Sequence, residues 1–253
     1  MIPPGVPKVI YALWLQGKDE APGVVALNFA RWRELNSDYR LRILDRRAAE
    51  ALLLESNLPI AGLPPQALSD LVRARLLLDE GGIWVDASVF PVKPLDAWLP
   101  DNLTEAGFFA FERPGPDRPI SSWFLAATPH NPILRAWWQE IKRFWSKPRG
   151  LMAGIPDDAI ACVSPARAAA NDEYPYFWLH YLFQYLLDTH VEVAALWSTC
   201  MKVSADPPHR LQLLFANNQT PSAAEIREAA NAAPVQKLNW RISYPLDVLA
   251  SLT

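Results

Sequence analysis

The sequence predicts an α/β fold with a mixed, mostly parallel central sheet flanked by helices, and three observations point there. Short apolar, β-branched runs alternate with longer stretches that carry apolar residues at helical spacing, in the order strand, helix, strand, helix. The 253 residues are 51% hydrophobic and 20% charged, which is enough apolar material to bury a core. The 24 prolines fall largely between these runs, as short elements joined by fixed turns require.

Taken in order, Lys8 to Leu15 is an apolar and aromatic run after a proline-rich entry and reads as a buried strand. From Pro22 to Asn36, Val25, Phe29, Trp32 and Leu35 recur at helical spacing. Tyr39 to Leu44 alternates polar and apolar residues like a second strand, and a helix follows from about Arg46 to Leu54. Pro64-Pro65 leads into a strong helical pattern from Gln66 to Asp79, with Leu68, Leu71, Val72 and Leu76 on its apolar face. Gly81-Gly82 ends that helix, because glycine enters the left-handed region without a Cβ clash. Ile83-Trp84-Val85 is the next strand, and Val89 to Val92 continues the extended chain beyond Asp86. Ala106 to Phe111 and Ser122 to Ala127 read as further strands. Asn131 caps a helix running to Trp145, with Pro132 in its first turn, and Tyr174 to Asp188 reads as an aromatic-rich helix. Beyond Pro207 the periodicity fades, apart from an alanine-rich helix near Ala223 to Ala232. With no repeat, low-complexity stretch or linker, one domain over residues 1–253 is expected, in two halves of about 1–100 and 101–253.

Charge and cysteine content exclude several classes. The 24 basic and 27 acidic residues give a net charge of −3, which offers nothing for nucleic acid to bind. Arg40, Arg42, Arg46 and Arg47 cluster locally, but Asp38, Asp45 and Glu50 interrupt them as on a solvated face. Cys162 and Cys200 have neither disulfide-framework nor metal-site spacing, so a reducing cytoplasm is expected. The first residues lack the basic-then-apolar pattern of a signal peptide. No apolar stretch approaches the ~18 residues that span a bilayer, so contact with a membrane would be peripheral, at its inner face.

The chemistry concentrates between Ser69 and Ser88. Asp70 and Arg73 lie three apart on a helix and are therefore neighbours, able to offer an acceptor and a forked donor to one ligand. The strand after the twin glycines ends at Asp86, and open α/β sheets bind ligands at the carboxyl ends of their strands. Ser69-Asp70-x-x-Arg73 followed by Gly81-Gly82-Ile83-Trp84-Val85-Asp86 resembles the DxD-type sugar transferases: the capsular polysaccharide synthesis proteins, the yeast-type mannosyltransferases and the large clostridial glucosylating toxins. Asp86-Ala87-Ser88 is most similar to the capsular group, as are Pro7 to Gly17, Ser122-Trp123-Phe124, Asn131-Pro132-Ile133, Tyr176 to Tyr181, Pro208-His209 and Lys237-Leu238-Asn239-Trp240.

The resemblance implies a GT-A-type, Rossmann-like domain with a nucleotide-sugar-binding first half and an acceptor-side second half. It implies a hexosyltransferase that uses a UDP-linked donor, retains anomeric configuration and extends a glycan or lipid-linked glycan in surface polysaccharide synthesis. Trp14 resembles the aromatic that stacks on the nucleotide base. Asp70 and Arg73 resemble the pair that holds the donor sugar and its phosphate, and Asp86 matches the first aspartate of DxD. Ser88 stands where the second aspartate would ligate Mn²⁺ or Mg²⁺, hard cations that favour carboxylate oxygens. Asp86 and Ser88 are therefore the expected metal ligands, with His180, His209 and Lys237 as other groups that could neutralise the leaving diphosphate.

Plainer readings exist for each residue. Asp70 could cap its helix, Trp14 and Trp84 could be core, and Arg75 with Asp79 forms a surface pair at i,i+4 spacing. Trp137, Trp138 and Trp145 read as packing, whereas Trp123 could face an acceptor. His180 could be a satisfied core histidine, Asp157-Asp158 a turn or helix cap, and Lys237 an exposed lysine. Two other functions compete: a non-catalytic sugar-nucleotide-binding module, favoured by Ser88, and a two-carboxylate glycosidase built on Asp70 and Asp86. The second needs an acid of raised pKa, which Arg73 is expected to oppose.

Overall fold

The computed structural model describes residues 5–217 and 220–252. The elements follow the expected order through β1 (Val9–Leu13), α1 (Gly23–Leu35), β2 (Arg40–Leu44), α2 (Arg46–Leu53), α3 (Pro65–Asp79), β3 (Gly82–Val85) and β4 (Val89–Pro91). β5 (Phe108–Gly115) and β6 (Arg118–Ala127) form a hairpin, followed by α4 (Pro132–Phe144). The short β7 (Gly150–Leu151), α5 (Ala159–Cys162), α6 (Pro165–Ala170) and β8 (Glu173–Tyr174) precede α7 (Trp178–Thr189) and α8 (Val191–Thr199). The chain closes with β9 (Val203–Ser204), α9 (Arg210–Asn217), α10 (Ala223–Asn231), β10 (Val235–Lys237) and α11 (Leu246–Ala250).

Six strands form the central sheet in the order β2-β1-β3-β6-β5-β9. β1 runs parallel to β2 and β3, and β5 parallel to β9, while β6 lies antiparallel between β3 and β5. This is the α/β class read from the sequence. Side chains alternate across the sheet as strand geometry demands. Tyr11, Leu13, Trp84, Phe108, Ala110 and Leu125 enter one core with α3, α4 and α7. Ile10, Ala12, Ile83, Val85, Phe109, Phe111, Phe124 and Ala126 enter the other with α1 and the C-terminal elements. Trp137, Trp138 and Trp145 are packing residues in the first core, as expected.

The twin glycines do two different things. Gly81 has φ +64°, and a Cβ there would meet Pro129 and the Ala127 carbonyl at 2.9 Å or less. Gly82 has φ +102°, and its Cβ would lie 2.8 Å from the Val9 carbonyl oxygen. The turn out of α3 and the close approach of β3 to β1 therefore both need glycine.

Two expectations change. The helix read from Tyr174 begins only at Trp178, because Tyr174 belongs to β8 and pairs with Leu151. Pro175 then separates the strand from the helix and holds the preceding residue extended. The tail beyond Pro207 is also more ordered than its periodicity suggested, with α9, β10 and α11 contributing Leu211, Phe215, Val235 and Leu249 to the second core rather than forming long amphipathic repeats.

Candidate active site

Three segments meet at the carboxyl end of β3. α3 brings Ser69, Asp70 and Arg73, and the turn after β3 brings Asp86 and Ser88. β10 brings Lys237 from the far end of the chain by pairing antiparallel with β4, Lys237 opposite Val89. Leu238 N–H donates to the Ser88 carbonyl at 2.9 Å, and Asp86 N–H donates to the Trp123 carbonyl at 2.8 Å, so the turn is held from both sides.

Arg73, only 5% exposed, joins these segments. Its Nη1 lies 3.1 Å from Asp70 Oδ1 and donates to the Ser122 carbonyl at 3.0 Å and to the Ser122 hydroxyl. Its Nη2 donates to Ser69 Oγ at 2.9 Å and to Asp86 Oδ1 at 3.1 Å. The guanidinium lies over the Trp84 ring, 5.2 Å from its centroid, and Trp84 Nε1 donates to the same Asp86 Oδ1 at 3.1 Å. The other oxygen, Asp86 Oδ2, faces Lys237 Nζ at 3.2 Å, and that ammonium also donates to Ser88 Oγ.

The two aspartates are tuned in opposite directions. Burial pushes Asp70 up from 3.8 to about 7; Arg73 opposes this and the Asp86 charge adds to it. Arg73 was expected to keep Asp70 charged. Burial outweighs it, because the guanidinium is shared with Asp86. At Asp86 burial again works against the charge, but Arg73 and Lys237 together hold the carboxyl below the usual carboxylate range. Asp70 is also no helix cap, since α3 begins at Pro65 and places it in the second turn.

These residues separate two connected spaces. An inner cavity of about 280 Å³ is bordered by Asp70, Arg118, Ser122, Trp123, Phe177 and His180. An outer groove of about 430 Å³ runs from Trp14 past Ser69, Trp84 and Ser88 to Asn239, Trp240 and Arg241. Gln66, Arg73, Asp86, Tyr176, His209 and Lys237 border both, so Asp86 stands at the throat between them. Trp14 follows β1 directly and meets the half-exposed Trp240 edge-on, with ring centroids 5.6 Å apart. Arg241 lies over the outer ring, 4.3 Å from the Trp240 centroid. Trp14 Nε1 in the groove, and Trp123 Nε1 and His180 Nδ1 in the cavity, are buried without a hydrogen-bond partner. Buried polar atoms in that state call for a ligand or water.

The site therefore gathers Trp14, Asp70, Arg73, Asp86, Ser88, His180 and Lys237 around one cleft. In the protein by itself His180 enters the cleft as a neutral group, because burial, Arg73 and Arg118 lower its imidazole to about 3. Burial likewise lowers His209. Asp158 sits at the start of α5, pairs with Arg167 at 3.0 Å and borders neither space. Arg75 and Asp79 pair at the edge of α3, as expected.

The metal expected at Asp86 and Ser88 meets a donor set that does not fit it. The pair offers one carboxylate and one hydroxyl, and the Lys237 ammonium bonds both. Arg73 and Trp84 take the remaining carboxylate oxygen. Among the described residues no group of three or more His, Cys, Asp or Glu side chains is arranged to hold a metal ion. A hard divalent cation wants several anionic oxygens free to turn towards it.

With this geometry in place, comparison with known proteins is informative. The sequence pattern of the family described as "Capsular polysaccharide synthesis protein" matches residues 3–153. The chain belongs to that family. Every α3 and β3 residue of the site in this capsular polysaccharide synthesis family member falls inside the matched span, whereas His180, Lys237 and Trp240 lie beyond it. The O-glycosyltransferase braB of Annulohypoxylon truncatum is 30% identical over 159 residues, covering 54% of this chain and 38% of that protein. The initiation-specific alpha-1,6-mannosyltransferase of Schizosaccharomyces pombe is 27% identical over 161 residues, 54% of this chain and 39% of that protein. The chain thus spans about two fifths of the length of these curated relatives. Among solved structures, the PaToxG glycosyltransferase aligns over 98% of this chain and 88% of its own, with TM-score 0.43 and 16% identity.

Some residues of the cleft were not assigned from the sequence. Trp84 was read as core, and it is fully buried, yet it also anchors Asp86. The signal was present, since residues two apart on a strand share a face. Arg118 lies over the Phe177 ring at 3.8 Å and pairs with Asp117 at 3.1 Å, a tertiary arrangement that no spacing announces.

Proposed function

We propose that this chain is a glycosyltransferase that moves a hexose from a nucleotide sugar, taken to be UDP-linked, to a glycan hydroxyl with retention of anomeric configuration. The observation that carries the reading is the junction at Asp86, where an aromatic, cation-bearing groove meets a small polar cavity. In this reading the base lies on Trp14 and the diphosphate passes Lys237. The sugar occupies the inner cavity beside Asp70, Arg73 and His180. As the bond from the anomeric carbon to phosphate oxygen breaks, its electron pair leaves with the nucleoside diphosphate. The acceptor oxygen forms the new bond, and its proton departs with the diphosphate. Fixed cations aimed at the charge that develops on the leaving group are the main source of rate in such a step.

The acceptor side has support as well. Pro114 and Arg118 border both the inner cavity and a further space of about 840 Å³ beneath the β5–β6 hairpin. A glycan entering from there would reach the anomeric carbon through the inner cavity, and retention in a single displacement requires its hydroxyl to attack on the face from which the diphosphate leaves. No helix among the described residues is long and apolar enough to cross a membrane. Free, buried Cys162 and Cys200 accord with a cytoplasmic setting. We place the reaction there, at the inner face of the membrane if the glycan is lipid-linked, in surface polysaccharide synthesis as the family name suggests.

The raised Asp70 carboxyl gives the glycosidase reading a point in its favour, since such enzymes need a protonated acid. Against it, Asp70 and Asp86 grip the same guanidinium instead of facing each other across an open gap. A purely binding module would use the groove but needs no such cavity. Calorimetric titration with UDP and GDP tests the donor reading: wild-type protein should bind at least one, and Asp86→Ala should abolish that binding. A variant that binds as tightly as wild type removes Asp86 from the site. Release of labelled sugar from the bound donor separates transferase from binding module.

A further inference from the structure

We propose that the Lys237 ammonium occupies the place and performs the task of the divalent cation in DxD sugar transferases, so that this protein binds and cleaves its donor without a metal. The proposal rests on the donor-site reading above and deepens it. Its first support is position. Lys237 Nζ bonds both Asp86 Oδ2, at 3.2 Å, and Ser88 Oγ, the two side chains that the DxD resemblance would give to the metal. A carboxylate at position 88 would supply a metal with anionic oxygen; a hydroxyl instead suits a hydrogen bond from an ammonium.

The second support is how firmly the lysine is delivered. β10 pairs with β4 through three residues, and Leu238 N–H bonds the Ser88 carbonyl at 2.9 Å, so the backbone on both sides of the lysine is tied to the segment it serves. Its side chain is 19% exposed, unlike a solvated surface lysine. Gln236 fixes the same strand from behind, its amide donating to the Ala230 and Pro207 carbonyls and accepting from Leu211 N–H.

The third support is charge. An ammonium has three donors, and two are engaged, which leaves one for a diphosphate oxygen at the throat where groove and cavity meet. Asp86 is matched by Arg73 and Lys237 together, so the throat carries more positive than negative fixed charge whenever Asp70 is protonated. In the transfer step the anomeric carbon–phosphate oxygen bond breaks with its electron pair staying on the phosphate oxygen. The acceptor hydroxyl oxygen forms the new bond and gives its proton to the diphosphate, and Lys237 donates its free hydrogen bond to that departing group. No oxidant, reductant or further reactant is needed.

The test is titration of UDP and GDP into wild-type protein in EDTA and again in Mn²⁺ or Mg²⁺. We expect binding in EDTA, with a Kd within about threefold of that in metal. Lys237→Ala should weaken metal-free binding at least tenfold, Lys237→Arg should restore much of it, and Ser88→Asp with Lys237→Ala should bind only when Mn²⁺ is added. Wild-type binding that strengthens tenfold or more with metal overturns the proposal while leaving the donor site standing. Unchanged metal-free binding in Lys237→Ala overturns it too. No binding of either nucleotide under any condition overturns the donor-site reading and the proposal together. The wild-type comparison needs no variant, so a poorly folding substitution cannot rescue the idea.

Discussion

Arg73→Ala is the substitution from which the structure predicts most. It removes the one guanidinium that Asp70, Asp86, Ser69 and Ser122 share. Deleting one partner of a buried ion pair costs about 3–5 kcal/mol, because the remaining charge is left without compensation. The share belonging to Asp70 depends on pH. The Asp70 carboxyl stands at about 7 in the folded protein against 3.8 ordinarily, so between those values the native state holds a proton that the unfolded state has lost. Stability therefore falls as pH rises through that interval, and the full penalty is present above it. Loss of Arg73 pushes the folded value higher still and enlarges the penalty only where wild-type Asp70 would be charged. At about pH 5.5 Asp70 is neutral in both proteins, and Lys237 still faces Asp86. The expected loss is ~3–5 kcal/mol near pH 8.5 and about half that near pH 5.5, read from urea denaturation midpoints with the slope unchanged. Equal losses at the two pH values would falsify the assignment of Asp70 as the buried, proton-exchanging partner. A loss below ~1 kcal/mol near pH 8.5, the range of a surface pair, would show that the guanidinium is not the link described.

Other outcomes follow from the same geometry. Asp70→Asn should flatten the fall in melting temperature between about pH 5.5 and 8.5, since the variant has no proton to lose there; thermal melts of both proteins across the range decide it. Trp14→Ala should raise the Kd for the bound nucleoside diphosphate roughly tenfold, within the ~1–3 kcal/mol of base–aromatic stacking. Calorimetry that gives the same Kd for both would take the base off Trp14. The effects of Asp86→Ala and of the Lys237 variants on nucleotide binding complete the set.

The sheet was legible because each of its strands carries its own signal. Val9–Leu13 is apolar and β-branched, and Gly82–Val85 opens with the second of two glycines whose positive φ and close backbone neighbours suit no larger residue. The part of the site within Ser69 to Ser88 was legible for a related reason: helix spacing puts Asp70 beside Arg73, and strand geometry puts Asp86 at a strand end. What spacing could not show was the balance of burial against charge. Arg73 next to Asp70 reads as an ordinary ion pair until Asp86 is found on the same guanidinium. Arg118 was invisible because it reaches the cavity through a hairpin whose register shifts twice, between Ala110 and Glu112 and again between Glu112 and Gly115. The start of α7 was misplaced because aromatic residues at Tyr174, Tyr176 and Phe177 mimic helical spacing while the backbone is still leaving β8.

Cations line both parts of the cleft, and Asp86 stands between them. Lys237 and Arg241 line the outer groove, where the proposed donor would carry its diphosphate. Deeper in, His180 stays neutral down to about pH 3 and Asp70 gains its proton near 7, beside the guanidinium groups of Arg73 and Arg118. Asp86 borders both spaces and is held charged there by Arg73 and Lys237 together. A donor lying the other way round, sugar outward, would bring its diphosphate beside the Asp70 carboxyl and leave Arg241 facing a neutral ring. For the proposed donor, that difference favours the nucleotide in the outer groove and the sugar within.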